Sequence, residues 1–135
     1  MTDFNLPGDD GLVDALLVEV AGLLERLIAH GEEGAIDLLG LPLSPAALAM
    51  LDQRLGHGEV DVRINACGLS EIHETRFHGV WRTQHADDDG RVIARLIETA
   101  LVPNILRADV EDMKRGRDAL LAAVGAARNS GGSAA

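Results

Sequence analysis

Apolar residues near the start of the chain recur at the spacing of an amphipathic helix. Between Leu12 and Ile28 they fall three or four residues apart, with charged residues between them. This pattern predicts a helix with one face packed on a core. Asp9 or Asp10 is predicted to cap its first amides, and Gly31 to end it in the left-handed conformation. The apolar positions are Leu12, Leu16, Val20, Leu23, Leu24 and Leu27.

A second helix is predicted after a short strand over residues 35–39. Ser44 is placed to act as its N-cap and Pro45 as its first residue, which are the positions that these two residue types favour. Gly56 and Gly58 are predicted to end the helix. Its apolar face consists of Leu48, Leu51 and Leu55.

Beyond Gly58 the spacing of apolar residues changes from helical to alternating. Val60, Val62 and Ile64 alternate with polar residues, which is the pattern of a half-buried strand. Three turn signals then divide the following stretch, so that four consecutive strands are predicted to form a meander. The turn signals are residues 66–68, residues 78–79 and the acidic run 87–90.

Pro103 is predicted to end the last strand, and a C-terminal helix to follow, with apolar positions between Val110 and Val124. The order is therefore helix, strand, helix, four strands, helix. Strands joined by short turns predict an α+β fold, with a mainly antiparallel sheet of four or five strands packed with about three helices. Residues 1–127 are predicted to form a single domain, and residues 128–135 a disordered tail.

Composition narrows the classes of function. Hydrophobic residues make up 47% of the 135 residues, but the only aromatic residues are Phe4, Phe77 and Trp81, so the core must be aliphatic. The formal net charge of −10 argues against nucleic acid and anionic membrane surfaces, since both are bound mainly through lysine and arginine.

Cysteine content and the N-terminal sequence indicate the compartment. Cys67 is the only cysteine, so one chain cannot form a disulfide or a multi-cysteine metal cage. The first ten residues contain no basic leader followed by an apolar run, and no segment is apolar enough to be expected to span a membrane. We therefore expect a cytoplasmic protein without membrane insertion.

Polar residues of the meander are predicted to converge around Trp81. If His78 and Gly79 form a two-residue turn, facing strands share one side of the sheet. A carboxylate and an imidazole on such a surface, Glu74 and His85, can act as an acid/base pair or belong to a structural polar network. The predicted cross-strand pairs are Arg76 with Trp81, Glu74 with Thr83, and Ile72 with His85. The sequence leaves open which face of the sheet is core.

Metal ligands are present by type, but their spacing forms no recognised motif. Neither a HExxH helix nor a paired-ligand knuckle occurs, so no metal site is predicted. Phosphate-cradling glycine loops and a GxSxG elbow are also missing, and Ser70 has no activating base near it in sequence. No catalytic residue and no cofactor are therefore predicted. The possible metal donors are His57, His73, His78, His85, Cys67, Glu71 and Glu74.

A run of short sequence words gives the most specific signal. In order they are LPLSPAAL, LGHGEVDVRI, GLSEIHET, GVW and LIETALVPNIL. Together they span about residues 35–106, and this part of the chain resembles the hydrogenase expression/formation proteins of the HupH/HyaF type. The resemblance implies an accessory factor in nickel-iron hydrogenase biosynthesis that does not itself catalyse a reaction.

The resemblance further implies binding to a hydrogenase structural subunit precursor, the small subunit being favoured, and to other maturation factors. The predicted contact residues are Glu74, Arg76, Trp81, Thr83 and His85. A homodimer is a further possibility for one sheet face. Two alternatives remain open: a carrier of metal or cofactor for the hydrogenase active site, and a small enzyme that uses Glu74 and His85.

Overall fold

The structure is a computed structural model that describes the backbone of residues 8–133 and the side chains of residues 8–129. The chain divides into two compact units, Met1–Pro103 and Asn104–Ala135. Among the described residues, the first unit contains two α-helices and the five strands, and the second contains the C-terminal helix. That residues 1–127 form a single domain stays a prediction.

Within residues 8–133, three α-helices and five strands occur in the predicted order, and the α+β class is confirmed. Two short 3-10 turns, Leu38–Gly40 and Asn104–Leu106, lie between them. The elements are α1 Asp9–His30, β1 Gly34–Asp37, α2 Pro45–Leu55, β2 Asp61–Asn65, β3 Leu69–Glu74, β4 Val80–Ala86, β5 Val92–Thr99 and α3 Val110–Ser133.

The five strands form one sheet in the order β1-β5-β4-β3-β2, and every neighbouring pair is antiparallel. Strands β2 to β5 are the predicted meander. β1 adds to the free edge of β5, with Gly34 opposite Thr99 and Ile36 opposite Ile97. The sheet therefore joins the chain that precedes α2 to the last strand of the meander.

The two ends of α1 differ in how well the sequence predicted them. Gly31 takes the predicted left-handed conformation, with φ of 69°, and its N–H donates to the Leu27 carbonyl. The predicted cap is wrong, because Gly8 is the N-cap and no side chain bonds to the exposed amides. Asp9 and Asp10 lie instead in the first turn, where their charge complements the helix dipole.

The start of α2 agrees with the sequence. Ser44 Oγ accepts a hydrogen bond from the Ala47 N–H at 3.0 Å, and Pro45 is the first helical residue. The strand before it is shorter than predicted and ends at Asp37. The Asp37 carboxylate accepts a hydrogen bond from the Leu39 N–H at 3.0 Å, which turns the chain into the 3-10 segment.

Helices α1 and α2 cover one face of the sheet. On that face Val80 and Ile97 are almost fully buried against the helices. The opposite face carries Ile72, Trp81 and Thr83, which are also buried. The fold thus settles which face α1 and α2 cover. The buried core residues are Val13, Leu16, Val20, Ile36, Leu38, Ala47, Leu51, Leu55, Val80 and Ile97.

Helix α3 of the second unit begins at the predicted residue, Val110, but runs further than expected. It continues to Ser133, so residues 128–133, predicted as disordered, are helical, while residues 134–135 lie outside the described part. Lys114 pairs with Glu111 at 3.2 Å, one turn apart. Between residues 8 and 133, no helix combines the length and the apolar character needed to cross a membrane.

Candidate functional site

The five predicted contact residues lie on or next to β3 and β4, but their register differs from the prediction. Glu74 is opposite Trp81, Ile72 opposite Thr83, and Ser70 opposite His85. Each residue is thus shifted by two positions from its predicted partner. Because side chains alternate with a period of two, this shift keeps the four strand residues Glu74, Trp81, Thr83 and His85 on their predicted face and changes only their neighbours.

A longer connection between β3 and β4 causes the shift. The predicted two-residue turn at His78 and Gly79 is wrong, since Thr75 to Gly79 all lie between the strands. The buried Thr75 hydroxyl holds this loop: it donates to the Val80 carbonyl at 2.9 Å and accepts from the Phe77 N–H at 3.1 Å. A side chain that bonds backbone groups in this way competes with further strand pairing.

Arg76 is therefore separated from Trp81. It lies in the loop, its N–H donates to the Leu55 carbonyl at the end of α2, and its side chain packs against Gly56. Its guanidinium carbon is 5.2 Å from the centre of the Phe77 ring. Arg76 thus belongs to the side of the sheet that α1 and α2 cover.

Trp81 and Thr83 are buried on the other side. Trp81 is only 5% exposed, and its indole N–H donates to the Ala100 carbonyl at 3.0 Å. Thr83 is 1% exposed. Of the five residues, those that reach solvent are Glu74, Arg76 and His85.

Glu74 and His85 each have a different partner. Glu74 lies 3.5 Å from the ring nitrogen of His78, and His85 Nδ1 lies 2.5 Å from Ser70 Oγ. His85 is four residues along β4 from Trp81, the residue opposite Glu74, which corresponds to roughly 13 Å. The two groups are therefore too far apart to share a proton, and the acid/base pair considered from the sequence is not formed.

The Ser70 and His85 pair has no sequence signal, because the two residues meet only through strand pairing. A serine bonded to an imidazole is one part of a nucleophilic site, which also needs donors for an oxyanion and room for substrate. Within the described residues, neither Ser70 nor His85 lines the polar pocket near α2, the apolar groove beside α1 or the cavity between residues 65–69 and 86–92. The geometry therefore favours a hydrogen bond that holds the register of β3 and β4.

A polar pocket of about 260 Å³ opens on the helix-covered face near the end of α2. Its centre is Arg82, whose side chain is 7% exposed. Arg82 Nε donates to Asp52 of α2 at 2.7 Å, and Nη1 donates to the Leu96 carbonyl at 3.3 Å. The lining residues are Asp52, His57, Glu71, His73, Arg82, Thr83 and Gln84.

Two histidines stack at this pocket. The rings of His57 and His73 lie 3.8 Å apart between centroids and are inclined by 12°. Burial lowers the pKa of His73 below its usual 6.5, and His57 and Arg82 lower it further, while Asp61 and a hydrogen bond to the Gly56 backbone act weakly in the opposite direction. The site thus favours a neutral His73.

The possible metal donors do not converge. Within residues 8–133, no group of three or more histidine, cysteine, aspartate or glutamate side chains is arranged to hold a metal ion. The stacked His57 and His73 rings are nearly parallel, so their in-plane nitrogen lone pairs do not point at one common position.

Sequence reasoning missed the polar pocket. Asp52, His57 and Arg82 come from α2, the loop after it and β4, and no fixed spacing connects them. The only available signal was an arginine, Arg82, among apolar residues of a strand face that the sequence had left as either core or interface.

Fold and geometry together define an α+β protein in which α1 and α2 cover one face of a five-stranded antiparallel sheet. Residues 13–127 match the model of the HupH hydrogenase expression protein, C-terminal conserved region. The chain belongs to this family, as the sequence words suggested.

Curated relatives of the chain are also named hydrogenase expression/formation proteins. The chain is 32% identical to the hydrogenase expression/formation protein HoxQ of Azotobacter vinelandii, over 77% of this chain and 38% of the relative. It is 31% identical to the hydrogenase expression/formation protein HupH of Rhodobacter capsulatus, over 80% of this chain and 40% of the relative. The chain therefore matches about two fifths of the length of these relatives.

A solved structure matches almost completely. The hydrogenase expression protein HupH from Thiobacillus denitrificans ATCC 25259 is 38% identical, with a TM-score of 0.82, and the match covers 85% of this chain and 96% of that chain. This likeness extends over nearly the whole of the solved chain, so the α+β fold is the fold of that protein too.

Proposed function

We propose that this protein is a non-catalytic assembly factor for nickel-iron hydrogenase that binds the precursor of a hydrogenase subunit, the small subunit being favoured. The observation that carries the proposal is membership in a family whose named relatives are hydrogenase expression/formation proteins. Such a factor would act in the cytoplasm together with other maturation factors.

The proposed contact surface is on the sheet face opposite α1 and α2. Glu74 and His85 reach solvent there and contact the precursor directly. Trp81 and Thr83 lie between them and support the surface from within, because both are buried. The part of this face that the precursor can reach directly is therefore the polar pair Glu74 and His85.

Affinity capture from cells that produce the hydrogenase tests this proposal. The full chain is used as bait, and antibodies against the small and the large subunit identify the captured precursor. We expect capture of the small-subunit precursor and weaker capture by Glu74→Gln and His85→Gln. Both variants keep a hydrogen-bonding side chain of similar size, so each is expected to change stability by about 1 kcal/mol or less.

Glu71→Gln is the matched control, since Glu71 is an exposed acid on the same strand but on the opposite face. It is expected to capture the precursor like the parent. Capture of the large subunit alone would contradict the favoured client. No capture of either subunit would reject the assembly-factor proposal, and unchanged capture by both folded variants would exclude this face.

A further inference from the structure

A second cavity, an apolar groove, lies between α1, the end of α2 and the loop that joins β3 to β4. Its volume is about 250 Å³. Leu17, Val20 and Leu24 of α1 form one wall, and Leu55 and Phe77 contribute to the other. An apolar cavity of about 150 Å³ is already large enough to bind benzene, so this groove has room for one large apolar side chain.

The groove is accessible from solvent at Phe77, which is part of its lining. Its side chain is 44% exposed, although it is one of only three aromatic residues in the chain. Leu55 below it is 1% exposed and closes the base of the groove. A partly exposed aromatic ring beside a buried aliphatic base is typical of the places where a partner inserts an anchoring side chain.

Two arginines also line the groove, and they differ in their pairing. Arg54 is bonded to Asp14 of α1. Arg76 has no carboxylate within ion-pair distance in the part of the chain that the structure describes, and its one charge contact is with the face of the Phe77 ring. In a protein with a net charge of −10, the groove thus carries a guanidinium that is available to an acidic ligand.

We propose that this groove binds a segment of a partner polypeptide that inserts a leucine- or phenylalanine-sized side chain between α1 and Phe77 and places the carboxylate of a neighbouring acidic residue on Arg76. Guanidinium and carboxylate form paired, charge-assisted hydrogen bonds, and the Phe77 ring holds the guanidinium in position. The inference rests on the proposed function only for the source of the segment, which would be the hydrogenase precursor.

Fluorescence anisotropy with two defined peptides tests the ligand chemistry on the full chain. One labelled peptide has the sequence Gly-Ser-Leu-Phe-Glu-Gly-Ser-amide, and the other has Gln in place of Glu. We expect saturable binding of the first peptide and binding about tenfold weaker for the second. Arg76→Gln is expected to bind both equally, whereas Arg76→Lys keeps part of the preference because it retains the charge.

A substitution that fills the groove tests whether the peptide binds there. Ala21 lines the groove and is exposed, so Ala21→Trp blocks the cavity without disturbing the core, and we expect no detectable peptide binding. Ala29→Trp is the matched control, because Ala29 is an exposed alanine of the same helix outside the groove. Arg26→Gln is the control for Arg76→Gln, because it removes an arginine of α1 that does not line the groove.

Several results would overturn the inference. They are the absence of peptide binding at millimolar concentration, equal binding of both peptides by the parent, and parental binding by Ala21→Trp. A parent that sediments as a dimer, binds no peptide and becomes monomeric as Ala21→Trp would show that a second copy of this chain is the occupant, which also contradicts it.

The same variants separate this inference from the proposed function. If Ala21→Trp still captures the hydrogenase precursor and fails to bind the peptide, the precursor is not the source of the segment. If the peptide binds as expected and no variant or parent captures a precursor, the proposed function fails while the groove remains a peptide site.

Discussion

His73 lies in a cross-strand row with Asp61 of β2 and Arg82 of β4, and its ring stacks on His57. Burial is the largest of the influences that lower its pKa below the usual 6.5. A histidine of this kind is neutral in the folded protein at a pH where the unfolded chain already binds a proton. Protonation therefore favours unfolding.

We expect this histidine to make stability depend on pH in a defined direction. Its contribution is fully present above pH 6.5 and is lost as pH falls from 6.5 towards the lower pKa of the folded state. His73→Gln, which does not titrate, is expected to flatten the fall in melting temperature over that interval. Thermal melts in a series of buffers at constant ionic strength check this.

His30→Gln is the control for that experiment, since His30 is an exposed histidine at the end of α1. It is expected to keep the pH dependence of the parent. If His73→Gln also keeps it, protonation of another group destabilises the protein in acid.

Strand β5 shows that two residues which simple alternation places on one face can differ greatly in burial. Ile97 is fully buried under α1 and α2, whereas Ile93, four residues earlier, is 58% exposed. A register irregularity between β4 and β5 falls near Ile93, at His85 and Ala86, and it interrupts the alternation there. Two isoleucines of one strand thus have different environments.

Aspartate substitutions at these two positions should have very different effects. Ile97→Asp places a charge without a partner in the core, and we expect a loss of about 3 kcal/mol or more in the free energy of unfolding. Ile93→Asp is expected to change it by about 0.5 kcal/mol. Urea denaturation measures both, and equal midpoints for the two variants would contradict the burial assigned to Ile97.

The connection between β3 and β4 explains why the sequence placed the strand residues on the right face with the wrong neighbours, and placed Arg76 on the wrong face. Alternation fixed the faces, and a two-residue error in the turn left them unchanged. The true length of the turn depends on Thr75, whose hydroxyl bonds to the loop and to Val80. These bonds span only five and two residues. Threonine is frequent both in strands and in such turns, so the sequence alone does not show where β3 ends and the turn begins.

The core of the described part of the chain consists of aliphatic side chains of α1, α2 and the sheet. We therefore expect purified protein treated with EDTA to keep its melting temperature, because a domain of this size can bury a sufficient core. Elemental analysis before and after treatment accompanies the melts. Stoichiometric nickel, iron or zinc, with a lower melting temperature once it is removed, would instead favour the role of metal carrier.

The sequence by itself determined the order of elements, the α+β class and the family. Helix periodicity, strand alternation and the signals at Ser44 and Gly31 act over a few residues, so they can be read without the fold. The predicted end of the last strand at Pro103 is less accurate, since β5 ends at Thr99. The family words are likewise a property of the chain alone, and their match extends over residues 13–127.

Only the tertiary structure decided which face of the sheet α1 and α2 cover and which polar groups meet. The row formed by Asp61, His73 and Arg82 joins three strands, and the ion pair of Arg82 with Asp52 joins the sheet to α2. The groove beside Arg76 likewise combines three separate segments. Such contacts depend on the packing of distant parts of the chain, because the interactions that create them are made only after the strands pair and the helices cover one face.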